Sequence, residues 1–122
     1  MKDRRHRLGK RGEELAWRHL ETRGYVILEA NHRTKHGEID LVTEKDGTLV
    51  FVEVRTRSSG GYGSPEESIT PAKRSHLISA AEEYLQAAEA DGRDWRIGVV
   101  ALEMDHRGDV SRLEVIENAV EG

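Results

Sequence analysis

The segment 37–55 constrains the fold of this chain more than any other stretch of the sequence. Within it, Asp46-Gly47 separates two runs in which apolar and polar residues alternate. An Asp-Gly pair between alternating runs is typical of a two-residue β-hairpin turn. We therefore predict strands over residues 38–45 and 48–56.

The register of this hairpin brings charged side chains together. A two-residue turn places Asp40 directly opposite Glu53 and Glu38 directly opposite Arg55. Because side chains alternate between the two faces of a strand, all four are expected to project from one face. The other face is predicted to be core and consists of Ile39, Leu41, Val50, Val52 and Val54.

The opposed carboxylates of Asp40 and Glu53 suggest a cation site. Two like charges about 5 Å apart repel by about 3 kcal/mol at an effective dielectric constant of about 20, so stability alone gives no reason for this pairing. A divalent cation between them would turn repulsion into ligation, and hard oxygen ligands suit Mg²⁺ or Mn²⁺. The alternative is an exposed charged strand on which Glu38 and Arg55 form an ordinary ion pair.

The rest of the chain predicts an α/β domain. Gly24 is placed to end a first helix, and Thr70 to cap a second helix that opens with Pro71. The predicted elements are a helix over residues 8–23, a strand over 25–29, a flexible loop over 58–66, a helix over 71–89, and strands over 95–102 and 110–116. The order αβββαββ indicates a mixed sheet of about five strands with flanking helices.

Composition and length exclude several classes of protein. The 122 residues suit one domain, over residues 1–122, and the absence of cysteine excludes a disulfide scaffold and a thiolate zinc site. No apolar run approaches the roughly 20 residues that span a bilayer, and no apolar stretch of a signal peptide follows the basic N-terminus. We therefore expect a cytoplasmic protein that does not engage a membrane.

Charge is distributed unevenly along the chain. The formal net charge is −4, yet residues 1–36 carry ten Lys and Arg against five Asp and Glu. This basic third is suited to contact a polyanion, and the alternative is a solvated basic tail, flexible over residues 1–7. Glu13 falls within the apolar arc of the first predicted helix, which indicates a partner or a metal, or else an ion pair at the rim.

Several motifs together resemble the YraN-like family of small bacterial proteins. The resemblance extends from about Gly9 to Val100 and rests on segments that share this spacing: Gly12-Glu13, Gly37-Glu38-Ile39-Asp40-Leu41-Val42, Val50-Phe51-Val52-Glu53-Val54-Arg55, Tyr62-Gly63-Ser64-Pro65-Glu66 and Lys73. That family is similar to archaeal Holliday junction resolvases and to the PD-(D/E)XK nuclease superfamily. The resemblance implies a restriction-endonuclease-like core, in agreement with the predicted order of elements.

The resemblance also implies metal-dependent hydrolysis of phosphodiester bonds in DNA, with branched or repair intermediates as candidate substrates. Asp40, Glu53 and the Val54 carbonyl would hold Mg²⁺ or Mn²⁺, and Glu13 would join the metal shell. Glu38 belongs to the motif as an accessory residue. Basic residues would contact backbone phosphates, namely Arg5, Arg7, Lys10 and Arg11, with Arg57 and Arg74 as secondary candidates.

One departure from the superfamily pattern concerns catalysis. Arg55 stands two residues after Glu53, where the superfamily has lysine. Because arginine does not give up its proton, Arg55 would orient water or offset phosphate charge, and Lys73 is the accessory candidate for the missing lysine. Two alternatives stay open: a nucleic-acid-binding module without turnover, and an interaction protein without nucleic-acid activity. Resolvase relatives work as dimers, so a homodimer is one assembly to test.

Overall fold

The computed structural model describes residues 4–58, 67, 69–90 and 92–120, with residues 4–9 and 118–120 described through their backbone alone. Its elements follow the predicted order αβββαββ: α1 (Arg4–Thr22), β1 (Val26–Thr34), β2 (Gly37–Lys45), β3 (Thr48–Ser58), α2 (Pro71–Ala87), β4 (Trp95–Met104) and β5 (Val110–Val120). The five strands form one sheet in sequence order. Strands β3 and β4 are parallel, and the other neighbours are antiparallel. The predicted mixed α/β fold is therefore confirmed.

Local capping signals fix the ends of the helices as predicted. Thr70 Oγ1 accepts a hydrogen bond of 3.1 Å from the backbone N–H of Lys73, and Pro71 is the first helical residue of α2. Gly24 follows α1 with φ of 89°, a left-handed conformation in which glycine carries no Cβ penalty. None of the described helices is long and apolar enough to span a bilayer.

Helix α1 begins earlier than its apolar periodicity indicated. It starts at Arg4, whereas the apolar periodicity predicted a start at residue 8, and residues 1–3 lie outside the described part of the chain. A flexible tail over residues 1–7 stays a prediction. Arginine has a high helix propensity, and no proline interrupts this stretch, so the helix extends beyond its first apolar residue, Leu8. The strands are also longer than predicted, because backbone pairing within the sheet extends to polar residues beyond the apolar segments.

Two apolar clusters cover the two faces of the sheet. The α2 side contains Ile39, Val42, Leu49, Phe51, Leu77, Ala80, Ala81, Leu85 and Ile97. The α1 side contains Ala16, Leu20, Tyr25, Leu41, Val50, Val52, Val100 and Leu102, with Val54 packed against it. The predicted grouping of Ile39 with Leu41 is wrong, since these residues join opposite clusters. Strict alternation is therefore broken at Asp40, which lies between them.

The β2–β3 register is as predicted up to this break. Pairs run from Lys45↔Thr48 to Leu41↔Val52, and the recorded pairing ends there. The predicted pairs Asp40↔Glu53 and Glu38↔Arg55 are not formed as strand pairs, because the β2–β3 ladder ends before them. On its other side, Glu38 pairs with Arg33 of β1. The two strands separate beyond Leu41, and this opening positions the charged residues described next.

Candidate functional site

Asp40 lies where the pairing of β2 and β3 opens. Its Oδ2 accepts a hydrogen bond of 2.8 Å from the backbone N–H of Val54. The carboxylate thus satisfies a strand N–H that the β2 backbone no longer reaches. This bond holds Asp40, which is half-buried, against β3 beside Glu53.

Glu53 is a buried carboxyl next to a second one. Its relative exposure is 5%, and burial together with the negative charge of Asp40 raises its pKa to about 7. Burial also raises the pKa of Asp40, although the hydrogen bond from Val54 acts in the opposite direction. Glu53 Oε2 is buried and accepts no hydrogen bond from the described residues. An unsatisfied buried carboxylate oxygen costs free energy, so this position favours a cationic ligand.

Two cationic side chains flank the other oxygen of Glu53. Arg55 Nε and Lys73 Nζ each lie 3.7 Å from Glu53 Oε1, one from β3 and the other from the first turn of α2. At this separation the contacts are electrostatic rather than close hydrogen bonds. The structure thus places Lys73 at the carboxylate pair, alongside the arginine of the motif. Arg55 Nε is buried and donates no hydrogen bond within the described residues.

Glu13 approaches the same region from α1. Burial, followed by the negative charges of Asp40 and Glu38, raises its pKa to about 7. Its Oε1 accepts a hydrogen bond of 3.1 Å from Asn31 Nδ2 on β1. Four carboxyl groups therefore interact where the pairing of β2 and β3 ends: those of Glu13, Glu38, Asp40 and Glu53.

The close approach of α1 to the sheet depends on Gly12. A Cβ built on Gly12 would lie 2.1 Å from Thr56 Oγ1, far inside van der Waals contact. With the Thr56 hydroxyl in this position, any residue larger than glycine would force α1 or the Thr56 side chain to move. The next residue, Glu13, interacts electrostatically with Asp40. The sequence singled out Gly12 only as part of the Gly12-Glu13 motif and did not predict this close approach.

The described residues contain no group of three or more His, Cys, Asp or Glu side chains close enough together to hold a metal ion. The candidate ligands are therefore the paired carboxylates of Asp40 and Glu53, with the Val54 carbonyl beside them on β3. This oxygen set suits Mg²⁺ or Mn²⁺, which keep several water ligands and rarely need a complete protein cage. The unpartnered Glu53 Oε2 is consistent with such an ion.

The predicted phosphate contacts are spread over three elements. Lys10 and Arg11 are exposed on α1, Arg74 is exposed on α2, and Arg57 is half-buried on β3. Arg5 and Arg7 belong to α1, but their side chains lie outside the described residues, as does the whole predicted loop segment 59–66. The structure brings Glu13, Asp40, Glu53, Arg55 and Lys73 together, whereas the basic residues with described side chains, Lys10, Arg11, Arg57 and Arg74, are distributed over α1, β3 and α2.

Sequence reasoning missed Asn31. Its φ of 54° is a left-handed conformation within β1, and its amide reaches Glu13. Asparagine adopts this conformation more readily than most residues, which is the only signal the sequence offers.

Comparison with known proteins decides the family. Residues 12–115 match the uncharacterised protein family UPF0102. The chain belongs to UPF0102. This confirms the resemblance to the YraN-like family. The matched segment contains the residues that the structure brings together, namely Glu13, Asp40, Glu53, Arg55 and Lys73. The basic residues Arg5, Arg7, Lys10 and Arg11 precede the matched segment.

Several UPF0102 proteins are similar along nearly their whole length. One from Pelotomaculum thermopropionicum is 46% identical over 119 residues, covering 98% of this chain and 99% of the relative. One from Roseiflexus castenholzii is 46% identical over 122 residues, covering 99% and 98%. One from Dehalococcoides mccartyi is 41% identical over 116 residues, covering 95% and 94%.

Proposed function

We propose that this UPF0102 chain is an endonuclease that uses Mg²⁺ or Mn²⁺ to hydrolyse phosphodiester bonds in DNA. The observation that carries the proposal is the pair formed by half-buried Asp40 and buried Glu53, in which Glu53 Oε2 accepts no hydrogen bond from the described residues. Two adjacent carboxylates withdrawn from water are unfavourable unless they are protonated or bind a cation. Magnesium and manganese are the cations that such an oxygen set suits.

The residues divide into ligands and phosphate partners. Asp40, Glu53 and the Val54 carbonyl would hold the ion, which supplies an activated water and stabilises charge on the phosphate. The Val54 N–H orients Asp40 for this role through its 2.8 Å hydrogen bond.

Arg55 and Lys73 are the proposed phosphate partners. Both face Glu53 Oε1 at 3.7 Å in the structure. A cation bound by Glu53 would compete with them for its charge, and both side chains would then be available to phosphate oxygens. Arg55 keeps its proton and therefore acts by charge and hydrogen bonding. Lys73 adds three donors from a rigid helix start.

DNA would run along the N-terminal half of α1. Lys10 and Arg11 are exposed there, and Arg5 and Arg7 precede them on the same helix, with Arg57 and Arg74 as further candidates. Contacts to phosphates release counterions, so binding should weaken steeply as salt increases. Branched or repair intermediates are the proposed substrates, and the cytoplasm is the proposed location.

A cleavage assay tests the proposal. Junction, flap, single-stranded and linear duplex DNA are incubated with the protein and Mg²⁺ or Mn²⁺, and with EDTA. Asp40→Asn is compared with Asp46→Asn, the same chemical change at an exposed hairpin turn that tolerates asparagine. We expect metal-dependent cleavage that Asp40→Asn abolishes and Asp46→Asn retains. Cleavage that survives Asp40→Asn, or no cleavage of any substrate, would contradict the proposal.

A second candidate is a nucleic-acid-binding module without turnover, which Arg55 favours because it stands at the lysine position of the motif. It predicts gel shifts of DNA without cleavage, and Arg55→Lys is the variant that could then restore turnover. Neither binding nor cleavage would instead favour an interaction protein. The homodimer stays a prediction, and sedimentation with and without DNA would test it.

A further inference from the structure

Asn31 occupies a particular register position beside the carboxylate pair. Strand pairs Ala30↔Leu41 and His32↔Ile39 flank it, so Asn31 falls opposite Asp40 across β1 and β2. Asp40 in turn reaches β3 through the hydrogen bond from the Val54 backbone N–H, next to Glu53. The irregular residue of β1 therefore lies opposite the carboxylate that faces β3 beside Glu53.

The backbone of Asn31 is unusual for a strand. Its φ is 54°, whereas the residues on both sides belong to the paired part of β1. Left-handed backbone within a strand is unfavourable for an L-residue and persists where surrounding contacts require it. The contact that this conformation makes is the hydrogen bond from Nδ2 to Glu13 Oε1 on α1.

Glu13 needs such a restraint. Asp40 and Glu38 both act on it as like charges, and repulsion would drive its flexible side chain toward solvent. A neutral amide donor holds the carboxylate without cancelling its charge, which a lysine or arginine at the same place would do. The bond also involves only one of the two carboxylate oxygens.

We propose that Asn31 is a positioning residue that holds Glu13 toward Asp40, so that the charge of Glu13 supports divalent-cation binding at the Asp40–Glu53 pair. The inference rests on the proposed function. Glu13 does not complete a group of three ligands among the described residues, so its part is electrostatic. A unit charge released into water near a divalent cation is expected to weaken binding by roughly three- to tenfold.

The test is a double-mutant cycle read out by isothermal titration of metal-free protein with Mn²⁺. Asn31→Gly removes the amide and still permits positive φ, so it separates the contact from the backbone conformation. We expect Asn31→Gly to weaken Mn²⁺ binding by roughly three- to tenfold in the native background, and to change nothing further in the Glu13→Gln background. Melting temperatures verify that each variant is folded.

Equal Mn²⁺ affinity of Asn31→Gly and the native chain would overturn the proposal, as would an equal loss in the Glu13→Gln background. Asn31→Ser gives the same comparison if Asn31→Gly lowers the melting temperature too far for titration. Asp40→Asn separates the two levels of inference. Native binding that Asp40→Asn removes but Asn31→Gly leaves unchanged refutes only the role of Asn31, whereas absent native binding refutes the metal site as well.

Discussion

Substituting Gly12 by alanine should destabilise the protein, although alanine is the better helix former. Within α1 the exchange alone should stabilise by about 1 kcal/mol. The new Cβ, however, would lie 2.1 Å from Thr56 Oγ1, more than 1 Å inside ordinary contact. Overpacking of this kind costs about 1–3 kcal/mol, and the β-branched Thr56 side chain has little rotamer freedom to withdraw. We expect a net loss of up to about 2 kcal/mol in the free energy of unfolding.

Removing the obstructing hydroxyl provides the matched control. In the Thr56→Ala background the nearest remaining atom of that side chain is Cβ, 3.3 Å from the new methyl group, so a small adjustment suffices. Gly12→Ala should then be neutral or stabilising by up to about 1 kcal/mol. Urea unfolding followed by tryptophan fluorescence measures all four proteins of the cycle. Stabilisation by Gly12→Ala in the native background would refute the close contact between α1 and β3.

Three further predictions concern single contacts. Thr70→Ala should lower the free energy of unfolding by about 1 kcal/mol in urea titrations, because the N-cap hydrogen bond is lost. Thr70→Ser should keep most of the native stability, because the capping hydroxyl is retained. Tyr25 donates a hydrogen bond to the Glu117 carboxylate, which lowers the pKa of Glu117 in the folded protein. The stabilisation from this hydrogen bond is therefore complete above the pKa that Glu117 has in the unfolded chain. It is lost as the pH falls through the lower pKa that Glu117 has in the folded protein. Tyr25→Phe should therefore destabilise slightly at neutral pH and not at acidic pH, which thermal melts across pH will show. Lys73→Gln should slow DNA cleavage by about 10²-fold while Mn²⁺ titration shows binding intact, and an equal rate would contradict its role at the phosphate.

Local signals explain why much of the fold was predictable. The Asp46-Gly47 turn fixes the register of β2 and β3, since both residues adopt positive φ in a two-residue loop. Thr70 and Pro71 fix the start of α2 through a side-chain cap and a preset φ. These preferences act between residues close in sequence, so they are visible without tertiary structure.

The candidate site depends on tertiary contacts that no local pattern encodes. The strand alternation fails at Asp40 because its side chain, rather than its backbone, bonds to Val54. The positive φ of Asn31 accompanies a hydrogen bond to Glu13 on α1, a residue 18 positions away in the sequence. Lys73 reaches Glu53 only after the crossover helix α2 packs on the sheet, so the sequence named it as a candidate without placing it.

Divalent-cation binding by Asp40 and Glu53 is the step on which the proposed hydrolysis depends. Isothermal titration with Mn²⁺ measures it directly in the native chain, in Glu53→Gln, and in Glu82→Gln, the same change at an exposed position of α2. We predict saturable binding by the native chain and Glu82→Gln, and a loss of affinity of about tenfold or more in Glu53→Gln. Equal binding by all three proteins, or no binding by the native chain, would contradict a metal site at this pair.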